Sequence, residues 1–246
     1  GNVSNWDDPE EGTYGDFSGL DDLFTEHPDV VQGMIDIYKT WVDYGVDGFR
    51  VDTVKHVNME FWQAFAPEIL AHAENIGNDD FFIFGEVYSG DKVFLSQYTS
   101  EGQLPSVLDF SFQEMAVQYA AQDATSSNLE RYFADDDYFT DPDSNAYMLP
   151  TFLGNHDMGR FGYFLTQSKP AADDAELVAR DKLAHAMMYF ARGIPVIYYG
   201  DEQGFTGDGG DKDARENMFP SQVDSYNDNN LIGTAATTAD DNFDQT

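Results

Sequence analysis

The chain contains no cysteine, and only 12 Lys and Arg residues stand against 46 Asp and Glu. Without cysteine there are no disulfides, no thiolate metal sites and no cysteine nucleophile. The formal net charge of −34 repels nucleic acid and anionic membrane surfaces, so neither is an expected partner. No apolar run is long enough to cross a bilayer, and nothing matches a phosphate-cradling glycine loop or a dinucleotide fingerprint. The amino terminus, Gly-Asn-Val-Ser-Asn-Trp, has neither an initiating Met nor a basic segment followed by an apolar one, as in a processed product or an excised piece.

What is present suits a large folded domain. Of the 246 residues, 41% are hydrophobic and 15% aromatic, ample for a core. The length is also usual for a β/α barrel. The acidic excess favours a neutral or cationic partner, or else forms a solvated surface that keeps the protein soluble in salty surroundings.

Residues 1–27, rich in Asp, Gly and aromatics without a period, read as loop. Pro28 opens a helix whose Val31, Met34, Ile35, Tyr38, Trp41 and Val42 share a face, with Gly45 as its left-handed terminator. A strand over Val46–Val51 follows. Asn58 is the expected cap of a helix carrying Phe61, Trp62, Phe65, Ile69 and Leu70, kinked or split at Pro67. Further strands are expected over Phe81–Val87, Val107–Phe110, Tyr147–Leu153 and Ile194–Tyr199, with helices over Gln113–Ala121 and Asp173–Arg192. Strands alternating with helices imply parallel β/α units with right-handed connections. The Gly-Asp stretch Gly204–Asp213 and the polar tail Pro220–Thr246 read as extended loops, the tail as disordered.

The chemistry gathers at strand ends. Arg50 and Asp52, two apart on one strand, point to the same side, and an opposite charge favours a carboxylate's charged form. Alone, an Arg-x-Asp is more readily a structural ion pair at a strand end. Glu86 ends the next strand, in Phe84-Gly85-Glu86-Val87, and Asp157 ends another, in Phe152-Leu153-Gly154-Asn155-His156-Asp157. In a parallel barrel the carboxyl ends of all strands open on one face. Convergent carboxylates, one ionised and one protonated, are what retaining glycoside hydrolysis requires.

These segments resemble the α-amylase family of retaining glycoside hydrolases and transglycosylases. Gly48 to His56 resembles the family's fourth-strand motif, Gly85-Glu86-Val87 its fifth, Phe152 to Asp157 its seventh, and Ile194 to Glu202 its eighth strand. Leu20-Asp21-Asp22-Leu23 is similar to the motif late in the third β/α loop, although Asp21 stands where the family usually has proline. The resemblance implies an α/β fold: a TIM (β/α)8 barrel, here a partial barrel covering about strands 4 to 8. Residues 1–18 would be a remnant of the region inserted after strand 3, 19–220 the partial barrel, and 221–246 an extended polar tail before a missing last helix. A five-strand arc cannot close a barrel of eight, so alone it would expose apolar edges.

The resemblance further implies Asp52 as nucleophile, Glu86 as acid/base and Asp157 as a carboxylate that grips sugar hydroxyls. Arg50 would orient the nucleophile, His156 would donate to the sugar, and Lys55 and His56 would line the leaving-group side. Arg160 joins the substrate-binding set. Asp22 and the His56 main-chain carbonyl match positions that bind structural calcium, an ion suited to oxygen ligands. The expected substrate is an α-glucan or maltooligosaccharide whose α-1,4 bonds are cleaved, the full-length form being monomeric and secreted, extracellular or periplasmic. Rival readings are a transglycosylase, α-glucosidase or isomerase with the same site, a non-catalytic carbohydrate-binding or scaffold relative, and an acidic cation-binding surface protein. His27, His72 and His185 read as packing or surface residues, and Gly207–Asp211 as a turn at the pocket rim. Tyr14, Phe17, Tyr88 and Tyr198 stand beside the motifs, where they would stack on sugars or pack in the core.

Overall fold

A computed structural model describes residues 1–6, 8–235 and 237, so the expectations for the end of the tail lie outside the described residues. The chain divides into two compact units, Gly1–Leu108 with Asp136–Pro150, and Asp109–Asp135 with Thr151–Thr246.

In the first unit the opening stretch is not wholly loop. A short helix, α1 (Pro9–Tyr14), is nucleated because the Asp8 side chain accepts from the Glu10 and Glu11 amides, which the absence of a period concealed. His27 caps α2 (Pro28–Asp43) by accepting the Asp29 amide at Nδ1. Gly45 follows with φ +87°, the left-handed terminator that the sequence predicts. Then come β1 (Gly48–Val51), α3 (Met59–Asn75), β2 (Phe82–Gly85), α4 (Lys92–Ser100) and β3 (Ser106–Val107). Pro67 does not split α3, which buries Phe61, Trp62, Phe65, Ala66, Ile69 and Ala73. Burying several large apolar side chains, at roughly 1.5–3 kcal/mol each, outweighs the roughly 3 kcal/mol of an internal proline.

The three strands form a parallel sheet in the order β1-β2-β3. Gly48 pairs with Phe82 and Val51 with Gly85, so the next residues, Asp52 and Glu86, leave neighbouring strands at the same level. Glycine is required at Gly48, where a Cβ would meet the Phe82 carbonyl oxygen at 2.2 Å. The core beneath is built from Val42, Phe65, Ile69, Ile83, Leu95 and their neighbours.

The second unit holds α5 (Phe110–Ala116), continued by a π-helical turn over Val117–Ala121, then α6 (Ser126–Ala134) and, resuming at the second residue of β4 (Pro150–Thr151), α7 (Phe161–Ser168), α8 (Asp174–Phe190) and β5 (Ile194–Pro195). Its core is built on Phe112, Leu153, Phe161, Leu165, Ala184 and Met188. Strand β4 pairs with β5, and the Val196 amide extends the contact to the Thr151 carbonyl at 2.8 Å.

Several strands are shorter than their apolar runs. Ser106–Val107 stops early because Asp109 turns its carboxylate to the Phe112 amide and starts α5. Tyr147 lies in a 3₁₀ turn capped by Asn145, not in a strand.

Candidate active site

At the carboxyl end of β1, Arg50 pairs with Asp52 through Oδ1. The Asp52 side chain remains 63% exposed, open to a reactant. Glu86, one strand over, is 7% exposed. Its Oε2 accepts the Thr53 amide at 2.9 Å, its carbonyl accepts the Val54 amide at 2.9 Å, and its own amide donates to the Val51 carbonyl at 2.7 Å. This crossing exists because Thr53 adopts φ +53°, uncommon for a β-branched residue. The left-handed turn aims the Thr53 N–H at the acid. The residue after the candidate nucleophile thus fixes the candidate proton donor, within one unit and by backbone alone.

Lys55 Nζ donates to the Tyr88 carbonyl at 3.1 Å and stands over the Tyr88 ring at 5.9 Å. The His56 Nδ1–H donates to the Gly12 carbonyl at 2.9 Å, and its ring meets Trp6 and Phe17 edge-on at 5.6 and 4.8 Å. Burial pushes the His56 imidazole below its usual range; the Gly12 carbonyl opposes this and the Lys55 charge adds to it. A cavity of about 510 Å³ is lined by Phe17, Asp22, Arg50, Asp52, Thr53 and His56 among others.

In the second unit Asp157 is fixed by a turn. Asn155 Oδ1 accepts the amides of Asp157 and Met158, each at 2.9 Å, while Asn155 and Gly159 exchange backbone hydrogen bonds at 3.0 and 3.1 Å. His156 Nε2 stands 3.1 Å from Asp157 Oδ2. On the other side Arg215 reaches Asp157 Oδ1 at 3.3 Å.

The model of the α-amylase catalytic domain matches residues 3–242. The chain belongs to the α-amylase family. It is 55% identical over 236 residues to an α-amylase of Streptomyces lividans, covering 96% of this chain and 26% of that protein. To a Beta/alpha-amylase of Paenibacillus polymyxa it is 33% identical over 218 residues, covering 86% of this chain and 16% of that one. Among solved structures, the α-amylase of Geobacillus thermoleovorans complexed with acarbose aligns with TM-score 0.75 and 33% identity, covering 87% of this chain and 45% of the other. The chain spans less than half the length of each of these relatives. The fold of the α-amylase catalytic domain, a TIM barrel, is therefore the fold to which these elements belong.

Within this α-amylase-family chain, Arg160 corrects the expectation of a sugar-binding side chain. It is 0% exposed. Its Nε donates to Glu216 at 2.8 Å and its Nη1 to Asp201 at 2.9 Å and to the Tyr199 carbonyl at 2.6 Å, with the Tyr198 ring 4.4 Å from the guanidinium carbon. A guanidinium sealed in this way reaches no ligand. Tyr198 is likewise committed, its hydroxyl donating to the Ala214 carbonyl at 2.9 Å. His72 and His185 pair with Asp43 and Asp181 at 2.7 and 3.5 Å, and His27 caps α2, so these three have structural partners as the sequence suggests.

For calcium, the described residues supply a partial set of donors. Among the described residues no three Asp, Glu or His side chains are grouped for a metal ion, whereas calcium takes six to eight oxygens. Asp22 and the His56 carbonyl supply only part of such a shell. Burial, followed by the negative charge of Glu26, pushes the Asp22 carboxyl up.

Two features escaped the sequence reading. Thr53 carries no motif signal for a positive φ, which only the packing of β1 against β2 reveals. Arg215 lies 58 residues from Asp157, and only the folded loop brings them together.

Proposed function

We propose that the chain is the carboxylate-bearing portion of a retaining α-glycosidase that cleaves α-1,4-glucosidic bonds in starch-like glucans. The observation that carries this is the pair Asp52 and Glu86, at equal level on adjacent parallel strands, one open beside a guanidinium and one enclosed beneath a backbone amide. Two carboxyl groups in contrasting surroundings divide the work of nucleophile and proton donor. Asp52 Oδ1 is held by Arg50, so Oδ2 is the attacking atom at the anomeric carbon. Glu86 Oε2 takes the Thr53 amide, so Oε1 carries the proton to the departing glycosidic oxygen. The covalent glycosyl ester is then hydrolysed by water that gives its proton to Glu86. Asp157 takes the third role, gripping sugar hydroxyls as the ring flattens. Arg50 orients the nucleophile, and Lys55, His56 and His156 contact the sugar.

In this reading β1 to β5 correspond to barrel strands 4 to 8. The names of the relatives support a glucan as substrate. A second reading, transfer of the glycosyl group to another sugar, rests on the cyclomaltodextrin glucanotransferase of Klebsiella oxytoca, 29% identical over 224 residues; the same intermediate serves both outcomes.

The test is Glu86→Gln in the protein at its full natural length, treated with α-glucosyl fluoride, whose leaving group needs no proton. The glycosyl ester should accumulate, adding one hexose to the intact mass on the peptide that holds Asp52. A label on another carboxylate, or inverted product from the unsubstituted enzyme, overturns the assignment.

A further inference from the structure

The glycine-rich loop that the sequence marks only as a rim turn makes several contacts with Asp157. Asp211 donates its amide to the Asp157 carbonyl at 2.7 Å while holding φ +50°. Arg215, four residues on, donates through Nη2 to Asp211 Oδ1 at 2.7 Å and to Asp157 Oδ1 at 3.3 Å, and through Nε to the His156 carbonyl at 3.2 Å. Two glycines make the approach possible. A Cβ on Gly210 would meet the Asp157 carbonyl oxygen at 2.7 Å, and one on Gly159 would meet the Gly209 carbonyl oxygen at 2.8 Å.

All the polar atoms of Asp157 are therefore engaged: its amide by Asn155, its carbonyl by Asp211, Oδ1 by Arg215, and Oδ2 by His156 at 3.1 Å. A carboxylate oxygen offers two acceptor sites. One partner on each still leaves each a lone pair, directed by the partners already present. The Arg215 side chain is 44% exposed, so its ion pairs add little to folding stability. A strained aspartate, two obligatory glycines and a forked cation spent on a weak surface pair are better explained by preorganisation of the carboxylate.

We propose that Asp211 and Arg215 form a clip in which Arg215 is a positioning residue for Asp157, holding its carboxylate in the orientation that grips the sugar in the transition state. This rests on the function proposed above and adds to it a residue that acts through Asp157.

The experiment compares Arg215→Ala, Arg215→Lys and Asp157→Asn in the protein at its full natural length, on a soluble maltooligosaccharide. Arg215→Ala should lower kcat about 10²-fold, the cost of a small misplacement, with KM and melting temperature nearly unchanged. Added guanidinium should restore part of kcat in Arg215→Ala and none in Asp157→Asn. Arg215→Lys should stay impaired, because one ammonium nitrogen cannot make the Nε contact to the His156 carbonyl together with the Nη2 contacts to Asp157 and Asp211. A rise in KM at constant kcat would make Arg215 a substrate contact and overturn the clip. A loss of kcat that follows melting temperature and ignores guanidinium would overturn it as well. Unsubstituted protein inactive on every α-glucan, or full turnover in Asp157→Asn, would instead defeat the underlying reading. Loss in Asp157→Asn with none in Arg215→Ala defeats the clip alone.

Discussion

Arginine meets carboxylate in both units, under opposite conditions. At the end of β1 the Arg50 and Asp52 side chains are 31% and 63% exposed, and only one oxygen of the acid is engaged. In the second unit Arg160 lies between Asp201 and Glu216 with side-chain exposures of 0%, 5% and 0%, under the rings of Tyr198, Tyr199 and Phe205. The open pair is weak as a contributor to folding, since water and salt compete for it. It keeps an oxygen free for chemistry. The sealed triad cannot reach a ligand, but it ties the segment after the Asn155–Gly159 turn to the loop after β5. The same ionic chemistry thus gives reactivity when left open and architecture when enclosed.

Removing the cation should separate the two most strongly. Arg160→Met leaves two carboxylates buried without their counter-charge, and breaking a buried pair costs about 3–5 kcal/mol. Arg50→Met should cost less than about 1 kcal/mol of stability while impairing turnover. Urea melts of both variants, read beside kcat, check the contrast. Equal stability losses would mean that exposure does not set the value of these pairs.

A smaller effect comes from charge within the triad. One guanidinium between two buried carboxylates leaves a net negative charge, and burial pushes Asp201 up to about 7 despite the opposing pull of Arg160. The buried Asp181 nearby, also pushed up by burial, adds negative charge, and its partner His185 acts in the opposite sense. Asp201 therefore binds its proton more tightly folded than unfolded. Its contribution to stability is fully present below the ordinary aspartate range near 4 and is lost as pH rises through about 7, at up to about 1.4 kcal/mol per pH unit. Asp201→Asn should flatten that decline between pH 4 and 7 in thermal melts. An unchanged profile would place the proton elsewhere in the triad.

How much of this was legible beforehand follows from the range of each signal. The strands bearing Asp52 and Glu86, the helices α2, α3 and α8 and the Gly45 terminator are local patterns of apolar period and glycine, and the structure contains them. Short motifs also carried the α-amylase family, which the catalytic-domain match supports over residues 3–242. Strand lengths were misread after β2 because an apolar run serves as well for a 3₁₀ turn or a helix start, as at Tyr147 and Phe110. Arg160 was misassigned because proximity to Asp157 in sequence says nothing about whether the side chain turns inward. Its partner Glu216 lies 56 residues away, beyond any local pattern, as does the contact of Arg215 with Asp157.

Salt offers the smallest and most diffuse contrast. With 46 acidic and 12 basic residues the exposed surface repels itself, and raising ionic strength shortens the Debye length from about 10 Å at 0.1 M to about 3 Å at 1 M. Screening weakens an exposed pair such as Arg50 with Asp52, a loss bounded by about 1 kcal/mol. It also relieves repulsion among many acids, whereas the sealed triad is screened much less. A net charge of −34 makes the repulsive sum larger than any one attraction, so the melting temperature should rise with sodium chloride from low strength to that of seawater. Arg50→Met should rise slightly more steeply, having no attraction left to screen at that site. A flat or falling curve in the unsubstituted protein would mean that local ion pairs outweigh the net charge, and would end the idea that the acidic surface is suited to salt.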